Sequence, residues 1–122
     1  LDLDSIAAFF ESDLGRRAVE AAGKGRLMRE KPFTLRTSRS GREILVQGVI
    51  DCCFEEEGKM ILIDYKSNFI RPDRQHEEEL ARIKDEYKVQ VELYKEAIEK
   101  GTGKEVAEAY LYLFASSDPL LM

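Results

Sequence analysis

At 122 residues the chain has the length of one domain with one hydrophobic core. Its 43% hydrophobic and 35% charged content excludes collagen-like, low-complexity and wholly disordered chains. The net charge of −5 argues against a nucleic-acid binder taken whole, yet residues 16 to 42 carry nine Lys and Arg against only Glu20 and Glu30. That segment is +7 and leaves −12 for the rest, a dipolar layout suited to one anion-facing side.

No apolar run nears the roughly 18 residues a membrane helix needs, so a soluble protein without a membrane partner is expected. The start, Leu1-Asp2-Leu3-Asp4, lacks the basic region of a signal peptide and an initiator Met. A single domain over residues 1–122, cut from a longer chain, is the expectation. Cys52 and Cys53 are adjacent, so in a strand they point to opposite faces and are badly placed to pair. Two cysteines are too few for a disulfide framework or a four-thiolate metal site. A reducing, cytoplasmic setting fits.

Asp4-Ser5 opens a helix over Ile6, Ala7, Ala8, Phe9 and Phe10. Ser12 or Asp13 caps a second short helix with Leu14, Ala18, Val19 and Ala22 inward, ended by Gly23 and Gly25. Leu27 to Thr37 reads as a strand, with Pro32 marking an edge or bulge, and Ser38-Arg39-Ser40-Gly41 as a turn. Ile44 to Phe54 and Met60 to Tyr65 are the clearest strands, joined by a hairpin turn through Glu55-Glu56-Glu57-Gly58-Lys59. Residues 68 to 79 read as a polar loop. Leu80, Ile83, Tyr87, Val91, Tyr94 and Ile98 recur at helical spacing, and Gly101 and Gly103 stop that helix. Val106 to Phe114 is a final strand, and Pro119 lies in a short tail. The order α-β-β-β-α-β predicts an α/β fold, a central mixed sheet flanked by helices.

Period two places Leu45, Gln47, Val49, Asp51 and Cys53 on one face of their strand, and Met60, Leu62, Asp64 and Lys66 on one face of the next. If the hairpin turns on a two-residue loop, Glu57-Gly58, Asp51 lies directly opposite Asp64; a four-residue loop centred there preserves the pairing, and a three-residue loop puts them on opposite faces. Opposed like charges destabilise a hairpin unless something offsets them. A shared proton, Lys66 or a divalent cation would do so. Two carboxylates with waters and a substrate phosphate make a typical magnesium site. Lys66 on the same face could orient an attacking water or stabilise developing charge. Metal, lysine and carboxylates together suit phosphodiester hydrolysis.

Gly48-Val49-Ile50-Asp51, twelve residues, then Asp64-Tyr65-Lys66 resembles the D…(D/E)-x-K signature of the restriction-endonuclease-like, PD-(D/E)xK nucleases. More closely, the chain resembles the RecB/AddA-type nuclease domain of bacterial helicase–nucleases. Arg29-Glu30-Lys31-Pro32-Phe33 is similar to that branch's "RE-x-PF" strand, Gln90-Val91-Glu92-Leu93-Tyr94 to its Q-x-x-x-Y helix, and Tyr110 to Phe114 to its last strand. The resemblance implies a restriction-endonuclease-like core and a deoxyribonuclease that uses Mg²⁺ or Mn²⁺ and acts in double-strand-break repair and recombination. It implies that Asp51, Asp64 and the backbone carbonyl of Tyr65 ligate the metal, and that Lys66 is catalytic with the two carboxylates. Gln90 and Tyr94 would border the site and contact DNA or support the metal ligands. The implied partners are DNA, a second subunit of the helicase–nuclease complex and the helicase part of the parent chain. The branch's usual upstream histidine has no match here; His76 lies in the polar loop and is left unassigned, and an upstream helix is expected to be missing. Glu30 is a weaker candidate for approaching the metal, and the chain lacks the four cysteines of relatives with an iron–sulfur cluster.

The alternative is a non-catalytic DNA-binding or subunit-docking domain that keeps the nuclease fold. A two-carboxylate glycosidase leaves Lys66 and the basic segment without a task. Gly101-Thr102-Gly103-Lys104 is not a phosphate-binding loop, because Ile98 and Glu105 stand where that motif needs Gly and Ser or Thr.

Overall fold

The computed structural model describes residues 3–68 and 75–122. Helices α1 (Leu3–Glu11) and α2 (Asp13–Gly23) come first. Ser12 caps α2, its Oγ accepting the Gly15 amide at 3.0 Å. Strands β1 (Leu27–Arg39), β2 (Arg42–Glu56) and β3 (Lys59–Lys66) follow, then α3 (His76–Thr102), β4 (Val106–Leu113) and β5 (Asp118–Leu121). The strands form one sheet in the order β1-β2-β3-β4-β5. Among the described residues only the β3–β4 pair is parallel, and α3 is the crossover that such a pair requires. The mixed sheet flanked by helices agrees with the restriction-endonuclease-like α/β expectation.

The β1–β2 and β2–β3 hairpins each turn on two residues with positive φ: Ser40 and Gly41 (52° and 76°), then Glu57 and Gly58 (53° and 78°). Positive φ at both central positions defines the type I′ turn, whose twist matches that of the strands it joins. The second turn gives the pairs Glu56↔Lys59 through Cys52↔Ile63, the register expected of a two-residue loop.

Two cores lie on opposite faces of the sheet. Ile50, Cys53, Met60, Leu62 and Leu111 pack beneath α3 against Ile83, Val91 and Ile98. Cys52, Phe54, Ile61, Ile63 and Tyr112 pack under α1 and α2 against Phe9, Leu14 and Ala18. The adjacent cysteines are free, buried and divided between the two cores.

Four features depart from the sequence reading. On α2, Val19 and Ala22 are exposed rather than inward, and Ala21 joins Leu14 and Ala18 in the core. The tail holds a short strand: β5 pairs antiparallel with β4, Pro119 opposite Tyr112. Helix α3 begins at His76, inside the expected polar loop, of which residues 69–74 lie outside the described residues. The shared face of Leu45, Val49, Asp51 and Cys53 is broken. Leu45 and Val49 are 61% and 48% exposed, while Cys53 is buried beneath α3. Ile50 also faces α3, so the side-chain alternation slips between Ile50 and Cys52. The cause lies across the ladder. Glu30 has φ 48°, and the pairing passes from Arg29↔Cys52 to Lys31↔Ile50 without a Glu30↔Asp51 rung. Both strands rotate at the same step, so the register survives and the alternation inverts.

Beyond that step β1 and β2 continue as a two-stranded arm, since β3 pairs only with Cys52 to Glu56. One face of the arm lies on α3. Phe33 meets Tyr94 edge-on, Thr37 Oγ1 donates to Glu96, and Arg39 pairs with Glu92. Among the described residues no helix is long and apolar enough to cross a membrane.

Candidate active site

The inversion in β2 delivers Asp51 to the rim of β3. The ladder ends at Cys52↔Ile63, and in the next rung the Asp51 side chain replaces backbone pairing: its Oδ2 accepts the Tyr65 amide at 3.0 Å. The same register sets Asp51 opposite Asp64. Asp64 is 3% exposed and is the one buried charged side chain among the described residues. Burial, reinforced by the adjoining Asp51 carboxyl and only partly countered by Lys66, pushes the Asp64 carboxyl up to about 6.

Lys66 extends from the end of β3 on the same face as Asp64. Its Nζ stands 3.0 Å from Asp64 Oδ2 and donates to Gln90 Oε1 at 3.0 Å. Gln90 Nε2 in turn donates to the Tyr94 hydroxyl at 3.1 Å. The Tyr94 ring rests edge-on against Phe33, centroids 5.3 Å apart. Phe33 covers Gly48, where a Cβ would fall 2.9 Å from the ring. A continuous chain of contacts therefore joins the carboxylate pair to α3 and the arm. It contains Asp51, Asp64, Lys66, Gln90 and Tyr94, all five side chains singled out in the sequence. Tyr65 contributes its backbone there, while its ring packs away from it against Phe9 and Phe114.

His76 opens α3, and Glu30 is exposed on β1. Among the described residues no cluster of three or more His, Cys, Asp or Glu side chains is arranged to hold a metal. The sequence reading missed Tyr87 as part of the site. Its ring lies under the Lys66 ammonium, 4.1 Å from Nζ to the centroid. The signal was present, because Tyr87, Gln90 and Tyr94 share one helical stripe.

The donor set suits a hard divalent cation. Two carboxylates converge, and the Lys66 ammonium, 3.0 Å from the buried Asp64 Oδ2, offsets only one of their two negative charges. The few side-chain ligands leave coordination positions for water and a phosphate oxygen, as Mg²⁺ commonly keeps.

The fold and this carboxylate–lysine hairpin define a class. The chain belongs to the PD-(D/E)XK nuclease superfamily, whose family model matches residues 5–120. Among curated proteins it is similar to the A-type subunit of the ATP-dependent helicase/nuclease of Anoxybacillus flavithermus (strain DSM 21510 / WK1), at 43% identity over 114 residues. That match covers 93% of this chain and 9% of the relative. It is similar to the same-named protein of Thermoanaerobacter sp. (strain X514), at 38% identity over 98% of this chain and 10% of the relative. The same-named protein of Clostridium novyi (strain NT) is 38% identical over 93% of this chain and 10% of the relative. The chain thus spans about a tenth of the length of these relatives.

Proposed function

We propose that the chain is a metal-dependent deoxyribonuclease domain that hydrolyses DNA phosphodiesters. In this reading it is the nuclease part of a longer helicase–nuclease polypeptide that processes DNA ends during repair of double-strand breaks by recombination. The observation that carries it is the Lys66 ammonium held between the Asp64 carboxylate and the Gln90 amide, beside Asp51. The relatives' name supports three partners: the helicase part of the same polypeptide, DNA, and a second subunit. Buried, unbridged Cys52 and Cys53 suit the cytoplasm.

Asp51, Asp64 and the Tyr65 carbonyl would hold Mg²⁺ or Mn²⁺. When bound, the ion supplies Lewis-acid polarisation of a phosphoryl oxygen and a more acidic water. Lys66 has three N–H donors. One is taken by Gln90 Oε1 and one faces Asp64, which leaves one for the attacking water or a phosphate oxygen. Gln90 and Tyr94 fix the lysine and border the substrate. Arg29, Lys31 and Arg42 are exposed, with no carboxylate partner among the described residues, and are suited to the DNA backbone.

The test is cleavage of labelled single- and double-stranded DNA with Mn²⁺, wild type beside Lys66→Ala and Asp64→Asn. Cutting by wild type and not by either variant is expected. Equal cutting by Lys66→Ala overturns the assignment. Calorimetric titration with Mn²⁺ separates the docking alternative, for which loss of Asp51 or Asp64 would leave metal binding unchanged.

A further inference from the structure

Helix α3 turns Tyr87, Gln90 and Tyr94 toward the end of β3. Gln90 and Tyr94 engage Lys66 through hydrogen bonds, directly or in relay. Tyr87 engages it differently, presenting its ring face 4.1 Å from Nζ. That is well inside the range of attraction between a cation and an aromatic quadrupole. The Lys66 side chain is only 17% exposed, so water screens the attraction little. A ring face attracts an ammonium without consuming a strong N–H bond, unlike a carboxylate. It can therefore fix the position of Lys66 while leaving a donor for substrate. The Tyr87 hydroxyl is 3.5 Å from Asn68 Oδ1, the outer limit of a hydrogen bond, so the ring rather than the hydroxyl is the stronger contact.

We propose that Tyr87 is a positioning residue for cleavage, its ring face holding the Lys66 ammonium at the carboxylate pair. The proposal rests on the reading of Lys66 as a catalytic group. Without the ring, a four-carbon side chain is held by one hydrogen bond and one ion pair, and a larger share of its rotamers points away from the site.

Two measurements test it. Cleavage kinetics in the full-length polypeptide that carries this chain compare Tyr87→Leu, Tyr87→Phe and Lys66→Ala. Tyr87→Leu is expected to lower kcat about five- to thirtyfold, the value of a partly desolvated cation–ring contact, with KM for DNA unchanged. Tyr87→Phe is expected to restore most of kcat. The second measurement is metal-free NMR of the 122-residue chain. The Lys66 ε-methylene protons should resonate upfield in wild type and Tyr87→Phe, through the ring current, and move to the ordinary lysine position in Tyr87→Leu.

Wild-type kcat in Tyr87→Leu alongside an inactive Lys66→Ala would overturn the proposal and leave the nuclease reading intact. So would a Tyr87→Phe as slow as Tyr87→Leu, which would assign the effect to the hydroxyl. If Lys66→Ala cuts as well as wild type, the nuclease reading of Lys66 fails and the proposal falls with it. An absent ring-current shift removes the contact itself. Should Tyr87→Leu lose its cooperative thermal transition, Tyr87→Met replaces it with the same expectations.

Discussion

The Asp51 carboxylate does the work of a strand carbonyl for Tyr65: it accepts that residue's amide at 3.0 Å where the β2–β3 ladder stops. One side chain thus closes the sheet and supplies half of the carboxylate pair. Asp51→Ala leaves the Tyr65 amide without its acceptor and is expected to cost about 1–3 kcal/mol. Asp51→Asn keeps an acceptor, removes the like charge beside Asp64 and should cost less. Urea unfolding of both without metal measures the difference; equal losses would show that the contact carries no stability.

Asp64 makes stability depend on pH. Its carboxyl titrates at about 6 in the folded chain against 3.8 as its ordinary value, chiefly through burial. Between those values the folded state binds more protons than the unfolded one, so stability falls as pH rises. The stabilisation is full below pH 4 and gone above pH 6, with an upper limit of about 3 kcal/mol. Asp64→Asn should therefore be more stable than wild type at pH 7.5 without metal and show no such advantage near pH 3.5. Unfolding midpoints across this range check it. An Asp64→Asn that is less stable at pH 7.5 would contradict the sign.

Saturating Mg²⁺ or Mn²⁺ should reverse that order. A cation that binds only the folded wild type raises its unfolding temperature with concentration. Asp64→Asn should shift far less, which differential scanning fluorimetry with and without EDTA reads directly.

Gly48 admits Phe33. A Cβ there would fall 2.9 Å from two atoms of that ring, which is held in turn against Tyr94. Gly48→Ala is expected to cost about 1–3 kcal/mol through overpacking. It should also slow cleavage by displacing Tyr94 and Gln90. Thermal melts paired with DNA cleavage test both effects.

Gly15 faces a harder obstacle. A Cβ would come 1.9 Å from the Phe9 carbonyl oxygen, and backbone cannot step aside as a ring can. Gly15→Ala must open the α1–α2 crossing and draw Phe9 out of its core. The expected loss exceeds that of Gly48→Ala, at about 4 kcal/mol or more, again read by urea unfolding.

Much of this was legible because local rules decide it. Glu57-Gly58 set the hairpin register, and the Ile83–Tyr87–Val91–Ile98 spacing set the inward stripe of α3. The illegible parts depend on partners distant in the chain. Nothing near Glu30 announces its left-handed backbone, so strict alternation put Asp51 on a face with Leu45 that it does not share. The +7 segment read as an anion-facing side, yet Arg17 pairs with Glu56 and Glu108, and Arg39 with Glu92. Those acids lie 39 to 91 residues away, and only the fold brings them in. Strand β5 was missed because four residues containing a proline form a strand only where an edge awaits them.

The parallel pairing of β3 with β4 sets an order of assembly. Asp51 reaches Tyr65 across 14 residues and a two-residue turn, a short loop to close. Gln90 reaches Lys66 only once α3 has folded back over the sheet, and β4 seats beside β3 at the far end of that crossover. The carboxylate pair and its ammonium are thus local to one hairpin, while the α3 groups that hold the lysine are distant. During synthesis or refolding the charges of the site meet early, and Lys66 is fixed in place only when α3 closes over the sheet.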